Sequence, residues 1–222
     1  MSVWTEETPT EETYVYDIES DYKQEGDIQQ PILTSDRSGY TSLNVTILNE
    51  ISEVLSHIDK HEVETLVDEI IKAEKVFFIG VGRVFLSLQC MAKRLHHLGI
   101  DANVVGSITE NAITGNDLLL VASGSGESIV PVEISKKAKK IGARIGLITS
   151  ARSSTIKSMS DFAVHLPCPT KNDLGYGVNS IQPMSTLFDQ VLHLFGDIVA
   201  LIIQDLRGMS KEELWNYHAN LE

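Results

Sequence analysis

Cysteine is nearly missing from this 222-residue chain, and the two present, Cys90 and Cys168, are too few for a disulfide framework. No Cys or His stands at metal-site spacing from a partner, so a zinc centre has no support. Basic charge is scarce as well: 18 Lys and Arg against 31 Asp and Glu leave a formal net charge of -13. Nucleic-acid binding needs clustered Lys and Arg to displace counterions, which disfavours that partner. No stretch approaches the roughly 18 uninterrupted apolar residues of a bilayer span, and the start, MSVWTEETPTEE, lacks the basic-then-apolar order of a signal peptide. The expectation is a cytoplasmic protein with unpaired thiols, no metal, no membrane and no nucleic acid, in which any anionic ligand is held locally.

The negative charge is unevenly placed. Residues 1–40 carry ten acids against Lys23 and Arg37, with scattered Tyr and no sustained apolar period. Such a segment cannot bury enough apolar surface to fold alone, so 1–40 reads as an acidic, flexible arm and 41–222 as one domain. From Leu43 the pattern changes. Apolar residues at three- and four-residue spacing predict amphipathic helices over 43–58 and 63–71.

The run Val76–Ile79, unbroken and closed by Gly80, predicts a strand covered on both faces. A helix through Leu86, Met91 and Leu98 follows. Further strands are expected at 102–105, 118–122, 144–148 and 162–166, with a helix over 127–141. The turn-rich segment PCPTKNDLGYGVNSIQP then leads to a long apolar-periodic helix over 184–206. Alternating strands and helices predict an α/β domain: a three-layer αβα sandwich around a five-stranded parallel sheet, doubly wound in the flavodoxin manner.

Ligands of such sheets bind beyond the carboxyl ends of the strands, which singles out two loops. One is Gly80-Val81-Gly82-Arg83, where glycine permits close backbone approach or simply a tight turn. The other is Ser123-Gly124-Ser125-Gly126-Glu127-Ser128, small and hydroxyl-rich, at the start of a helix. Hydroxyls, backbone N–H groups and a helix N-terminus together suit a phosphate dianion, with helix capping by Ser125 or Ser128 as the lesser alternative. The loop lacks the Gly-Lys-Ser/Thr of an ATP-binding loop, and GVGRVF lacks the third glycine of a dinucleotide fingerprint.

With its Ser-Gly-Ser-Gly-Glu-Ser loop the sequence resembles the sugar-isomerase (SIS) family. The stretches FFIGVGR, MAKRLHHLGI, VASGSGES, SIQPMSTLFDQ and HANLE are similar to 6-phospho-3-hexuloisomerases. The resemblance runs from about Leu43 to Glu222. It implies an isomerase interconverting 3-hexulose 6-phosphate and fructose 6-phosphate without cofactor, in the formaldehyde-assimilating ribulose monophosphate route, as a homo-oligomer, dimer or tetramer.

By position, the resemblance implies that Ser123, Ser125 and Ser128 hold the phosphate, with Gly80, Gly82, Gly124, Gly126 and Glu127 in the binding loops. Arg83 would line the pocket, and His218 in the tail would reach an active site, its own or a neighbour's. Asp189, after Phe188, stands where relatives carry a Glu and would serve as general base; a helix-start carboxylate stabilised by the dipole is the alternative. Three departures accompany these matches. Val84-Phe85 replaces Ser-Gly, Asp replaces Glu, and the loop Gly106-Ser107-Ile108-Thr109-Glu110-Asn111 displaces an acidic group. They leave open an isomerase of another ketose or aldose phosphate, or a non-catalytic phosphosugar-binding regulator. His96 and His97, adjacent on a helix, point to different sides and read as surface or interface residues.

Overall fold

The computed structural model describes residues 39–170 and 177–221. The arm expected over 1–40 lies outside these residues up to position 38; the first helix begins at Tyr40. Five apolar runs form strands: β1 Val76–Ile79, β2 Ala102–Val104, β3 Leu118–Ala122, β4 Arg144–Thr149 and β5 Phe162–His165. All pair in parallel in the order β2-β1-β3-β4-β5, with Val76 beside both Ala102 and Leu118.

Among the described residues seven helices accompany the sheet: α1 Tyr40–Ser56, α2 Lys60–Lys72, α3 Gly82–His96, α4 Ile129–Ile141, α5 Thr155–Met159, α6 Thr186–Leu206 and α7 Lys211–Leu214. A 3-10 turn, Trp215–Tyr217, continues α7. Successive strand side chains point to opposite faces, so each strand feeds two cores. Val76, Phe78, Leu118 and Leu120 pack with α1, α2, α3 and α6, whereas Phe77, Ile79, Leu119 and Val121 pack with α4 and α5. Burial on both faces explains why β1 and β3 show no polar alternation. The three-layer α/β architecture is as expected.

Helix starts follow local chemistry. The Asp59 carboxylate accepts the N–H groups of His61 and Glu62 at the head of α2, and Ser210 and Glu213 form a reciprocal box at α7. Two boundaries differ from expectation. α4 starts at Ile129 rather than Glu127, whose carboxylate accepts the Thr155 N–H at the head of α5. α6 starts at Thr186 rather than near Met184, whose φ of 58° is incompatible with a helix. The five-residue α5 went unforeseen, being too short to show a period.

Among the described residues, α6 is the one helix long and apolar enough to cross a membrane by length and composition. Leu187, Phe188, Val191, Leu192, Phe195, Val199 and Ile203 instead bury its inner face in the core. Truncating such a side chain, Phe195→Ala for example, would cost about 3–5 kcal/mol through lost transfer energy and a residual cavity.

Candidate active site

β1 leads into α3 on one side and β3 into α4 on the other, and with β2 beside β1 the strand order reverses between them. A crevice opens there by topology alone. In this structure it is a cleft of about 610 Å³, lined by Gly82 and Arg83, by Ser123, Gly124, Ser125 and Ser128, and by Pro183–Thr186 with Phe188 and Asp189.

The β3–α4 loop is braced from within and from below. Ser123, 3% exposed, accepts the Gly126 N–H through Oγ at 3.0 Å, and Thr149 Oγ1 donates to the Gly124 carbonyl at 3.2 Å. Gly126 turns with φ 66°, and a side chain there would run into Ser154, so glycine is required on two counts. Ser128 is the N-cap residue of α4, yet its side chain makes no capping hydrogen bond. Its Oγ lies 3.4 Å from Ser123 Oγ, and Ser125 Oγ accepts only a long 3.3 Å bond from Glu127 N. The first turn of α4 thus lacks a side-chain cap while a hydroxyl stands beside it, an arrangement suited to an anion.

Across the cleft, Arg83 in the first turn of α3 donates Nε–H to Asp189 Oδ2 at 2.9 Å. Asp189 is 4% exposed and its Oδ1, also buried, accepts no hydrogen bond from the described residues. Its carboxylate faces Arg83, not the N–H groups of its own helix. Burial pushes the Asp189 carboxyl above its ordinary value, and the Arg83 guanidinium pulls only partly against it. The backbone is pinned too: Ser87 Oγ donates to the Asp189 carbonyl at 3.0 Å, joining α3 to α6. Cys168 is a buried neighbour, and burial, aided by the Asp189 charge, pushes its thiol up to about 12. A thiol so raised stays protonated at neutral pH.

Arg83, Gly82, Ser123, Gly124, Ser125, Ser128 and Asp189 therefore share one cleft. Four other expected positions do not line it. Gly80 serves packing, since a Cβ there would press on Leu88, Phe85 and the Ala122 carbonyl at 3.3–3.4 Å. Gly126 turns beneath the loop. Glu127 points outward and accepts the Thr155 N–H at 2.7 Å, which holds its carboxyl below the usual range. His218 stacks on His97 at 5.0 Å between ring centroids and contacts Trp215. The length of α3, about 22 Å at 1.5 Å per residue, separates that stack from Arg83. His97, expected at a surface or an interface, is 8% exposed in the chain, where His218 stacks on it.

Of the departures, Val84 gives the cleft an apolar lining and Phe85 packs against the core. Glu110 folds back onto the Gly106 N–H and supplies no acid to the cleft. The Pro183–Thr186 wall was not foreseen as a site. The turn formers there signalled only a loop, although the hydroxyls of Ser185 and Thr186 at a helix start were a usable hint.

A doubly wound sheet with a hydroxyl-rich helix start facing a buried acid at its switch point defines a class, and the comparison with known proteins agrees. The SIS domain matches residues 69–194, and the chain belongs to that family. It is 34% identical to the 3-hexulose-6-phosphate isomerase of Bacillus subtilis, with 79% of this chain and 95% of that protein covered. It is 38% identical to the enzyme of the same name from Mycobacterium gastri, covering 79% and 88%. A crystal structure from Methanococcus jannaschii, for which a 3-hexulose-6-phosphate isomerase function is inferred, superposes with a TM-score of 0.72 at 29% identity, covering 82% of this chain and 99% of that one.

Proposed function

We propose that this protein is a phosphosugar isomerase interconverting 3-hexulose 6-phosphate and fructose 6-phosphate. One observation carries the reading: Asp189, a buried acid with one oxygen unengaged among the described residues, lines the same cleft as an uncapped, serine-bearing helix start. The similarity to proteins bearing that enzyme name supports the substrate.

In this reading Ser123, Ser125 and Ser128, with the N–H groups of α4, receive the phosphate on C6. The sugar's carbonyl end then extends toward α6. Asp189 removes the proton on C2, alpha to the C3 carbonyl, leaving a cis-enediolate across C2 and C3. The same carboxyl returns the proton to C3 while the hydroxyl proton passes from O2 to O3, so the carbonyl moves to C2 and no atom is gained or lost. A base in a dry site with a raised pKa is better matched to carbon acidity than a solvated Asp. Arg83 stabilises the negative charge that builds on the enediolate oxygens. His218 stands outside this scheme, since the tail stack holds it a helix length from its own chain's cleft.

The same reading extends to a cytoplasmic homo-oligomer in the ribulose monophosphate route. The exposed Leu86 of α3 and Leu194, Ile198 and Leu201 of α6 supply an apolar surface for self-association.

The test is turnover of 3-hexulose 6-phosphate in deuterium oxide. Fructose 6-phosphate should form with deuterium entering at C3. Tight binding of sugar phosphate without exchange or product would replace the enzyme reading by a sensor. Turnover confined to another ketose or aldose phosphate would overturn the substrate.

A further inference from the structure

Glu50 is buried where core packing does not call for a carboxylate. It lies in α1, is 7% exposed, and its head group receives three hydrogen bonds from one loop. Ile181 N donates to Oε1 at 2.8 Å, while Ser180 Oγ and Gln182 Nε2 donate to Oε2 at 2.7 and 2.9 Å. Ser180 Oγ also accepts the Gln182 N–H at 3.0 Å, so the loop is braced against the same point.

The chemistry of the head group matters. An ionised carboxylate is acceptor-only, and the donors divide between its two oxygens. A Gln at this position would turn an NH2 toward one set of donors, and an Ala would leave Ile181 N–H without its acceptor in a part-buried site.

The anchored residues run directly into the cleft. After Gln182 come Pro183, Met184 and Ser185, which form one wall, and then the first turn of α6 with Asp189. Met184 holds φ 58°, a conformation that a non-glycine residue keeps only when its surroundings enforce it. Glu50 holds the chain just ahead of that point. The phosphate-binding loop, by contrast, belongs to β3 and α4, and among the described residues no hydrogen bond joins it to Glu50 or its partners.

We propose that Glu50 is a positioning residue for isomerisation: by clamping residues 180–182 it fixes the Pro183–Ser185 wall and the entry of α6, so that Asp189 meets the sugar's reacting carbons. This rests on the isomerase reading above. Glu50 acts through the loop and not on substrate, so its removal affects the chemical step more than the grip on phosphate.

The test compares wild type, Glu50→Ala and Glu50→Gln in full-length protein, with kcat and KM for 3-hexulose 6-phosphate and amide exchange along 178–189. A misplacement of about 1 Å near reacting atoms costs about 100-fold, so Glu50→Ala is expected to lose about that much in kcat. KM should stay within about threefold, as for an interaction that matters only in the transition state. Glu50→Gln should recover part of the loss, and exchange at Ile181 should quicken in Glu50→Ala while that in α4 does not. A folded Glu50→Ala with wild-type kcat, or one in which KM alone rises, overturns the proposal. If Glu50→Ala does not fold, Ser180→Ala removes one clamp bond and its brace, and an unchanged kcat there overturns it equally. Wild-type protein that turns over no sugar phosphate defeats the isomerase reading instead, an outcome visible before any variant is made.

Discussion

The two ends of the sheet treat their carboxylates in opposite ways. At the amino end Asp117, 1% exposed, is fully engaged: it accepts the N–H groups of Lys75 and Thr114 and the Thr114 hydroxyl, and pairs with Lys75 Nζ at 3.2 Å. At the carboxyl end Asp189, almost as buried, has one oxygen on Arg83 and the other without a partner among the described residues. Satisfying every lone pair makes a buried acid a structural tie. Leaving one unengaged costs stability and leaves an acceptor open to a ligand.

Asp189→Asn should give the largest separation between activity and folding. Removing a general base lowers rate by about 10²- to 10⁴-fold, to be read as kcat on 3-hexulose 6-phosphate. Stability should move the other way. A carboxyl whose folded pKa is raised contributes most below its unfolded value, and that contribution is lost as pH rises through the folded value. At neutral pH the ionised group is therefore a burden, and the Asn variant should melt no earlier than wild type. Arg83, 66% exposed in its side chain, remains solvated without its partner.

Asp117→Ala inverts that outcome. Breaking a buried, hydrogen-bonded pair costs about 3–5 kcal/mol, which denaturant unfolding would show, while kcat per folded molecule stays at the wild-type value. Equal losses of activity and stability in both variants would erase the contrast between the two ends.

Ser125→Ala/Ser128→Ala sharpens the picture on the phosphate side. Hydrogen bonds to charged groups contribute about 1.5–3 kcal/mol each, so affinity for fructose 6-phosphate should fall at least about 10-fold by titration calorimetry. Folding should survive, because Ser128 makes no side-chain cap to lose.

The smallest effect concerns the tail, where His97 packs on His218. Burial, aided by the charges of Lys93 and Arg94 and by His218 and His96, holds the His97 imidazole below its ordinary value. The unfolded chain takes up that proton near pH 6.5 while the folded chain resists it. The stability this confers is complete above about 6.5 and is lost as pH falls through that value toward the folded one. The thermal midpoint should therefore decline between pH 7.5 and 5.5 by more in wild type than in His97→Gln.

The cleft was partly visible beforehand because its signals are local. Ser123 to Ser128 lie within six residues after an apolar run, and Gly82-Arg83 follow another, so position relative to a strand end sufficed. Asp189 was reached by resemblance; nothing in its helix period separates it from an ordinary first-turn acid. Glu127 shows the opposite failure. It sits inside the recognisable loop, yet the turn at Gly126 sends it to Thr155. Glu50 carried no signal at all, since a Glu on an amphipathic helix reads as solvent-facing until a loop 130 residues later folds over it.

Periodicity and strand-end chemistry, both properties of short segments, determined the layered α/β architecture and placed the Ser-Gly loop at a strand end from the sequence alone. Only the tertiary structure decided which charged groups are satisfied: that Asp189 keeps an unengaged oxygen, that Glu50 clamps the opposite wall, and that His218 turns away to His97. The reason is physical. Burial and hydrogen-bond partners belong to pairs of residues 100 or more positions apart, and no local pattern specifies which of them meet.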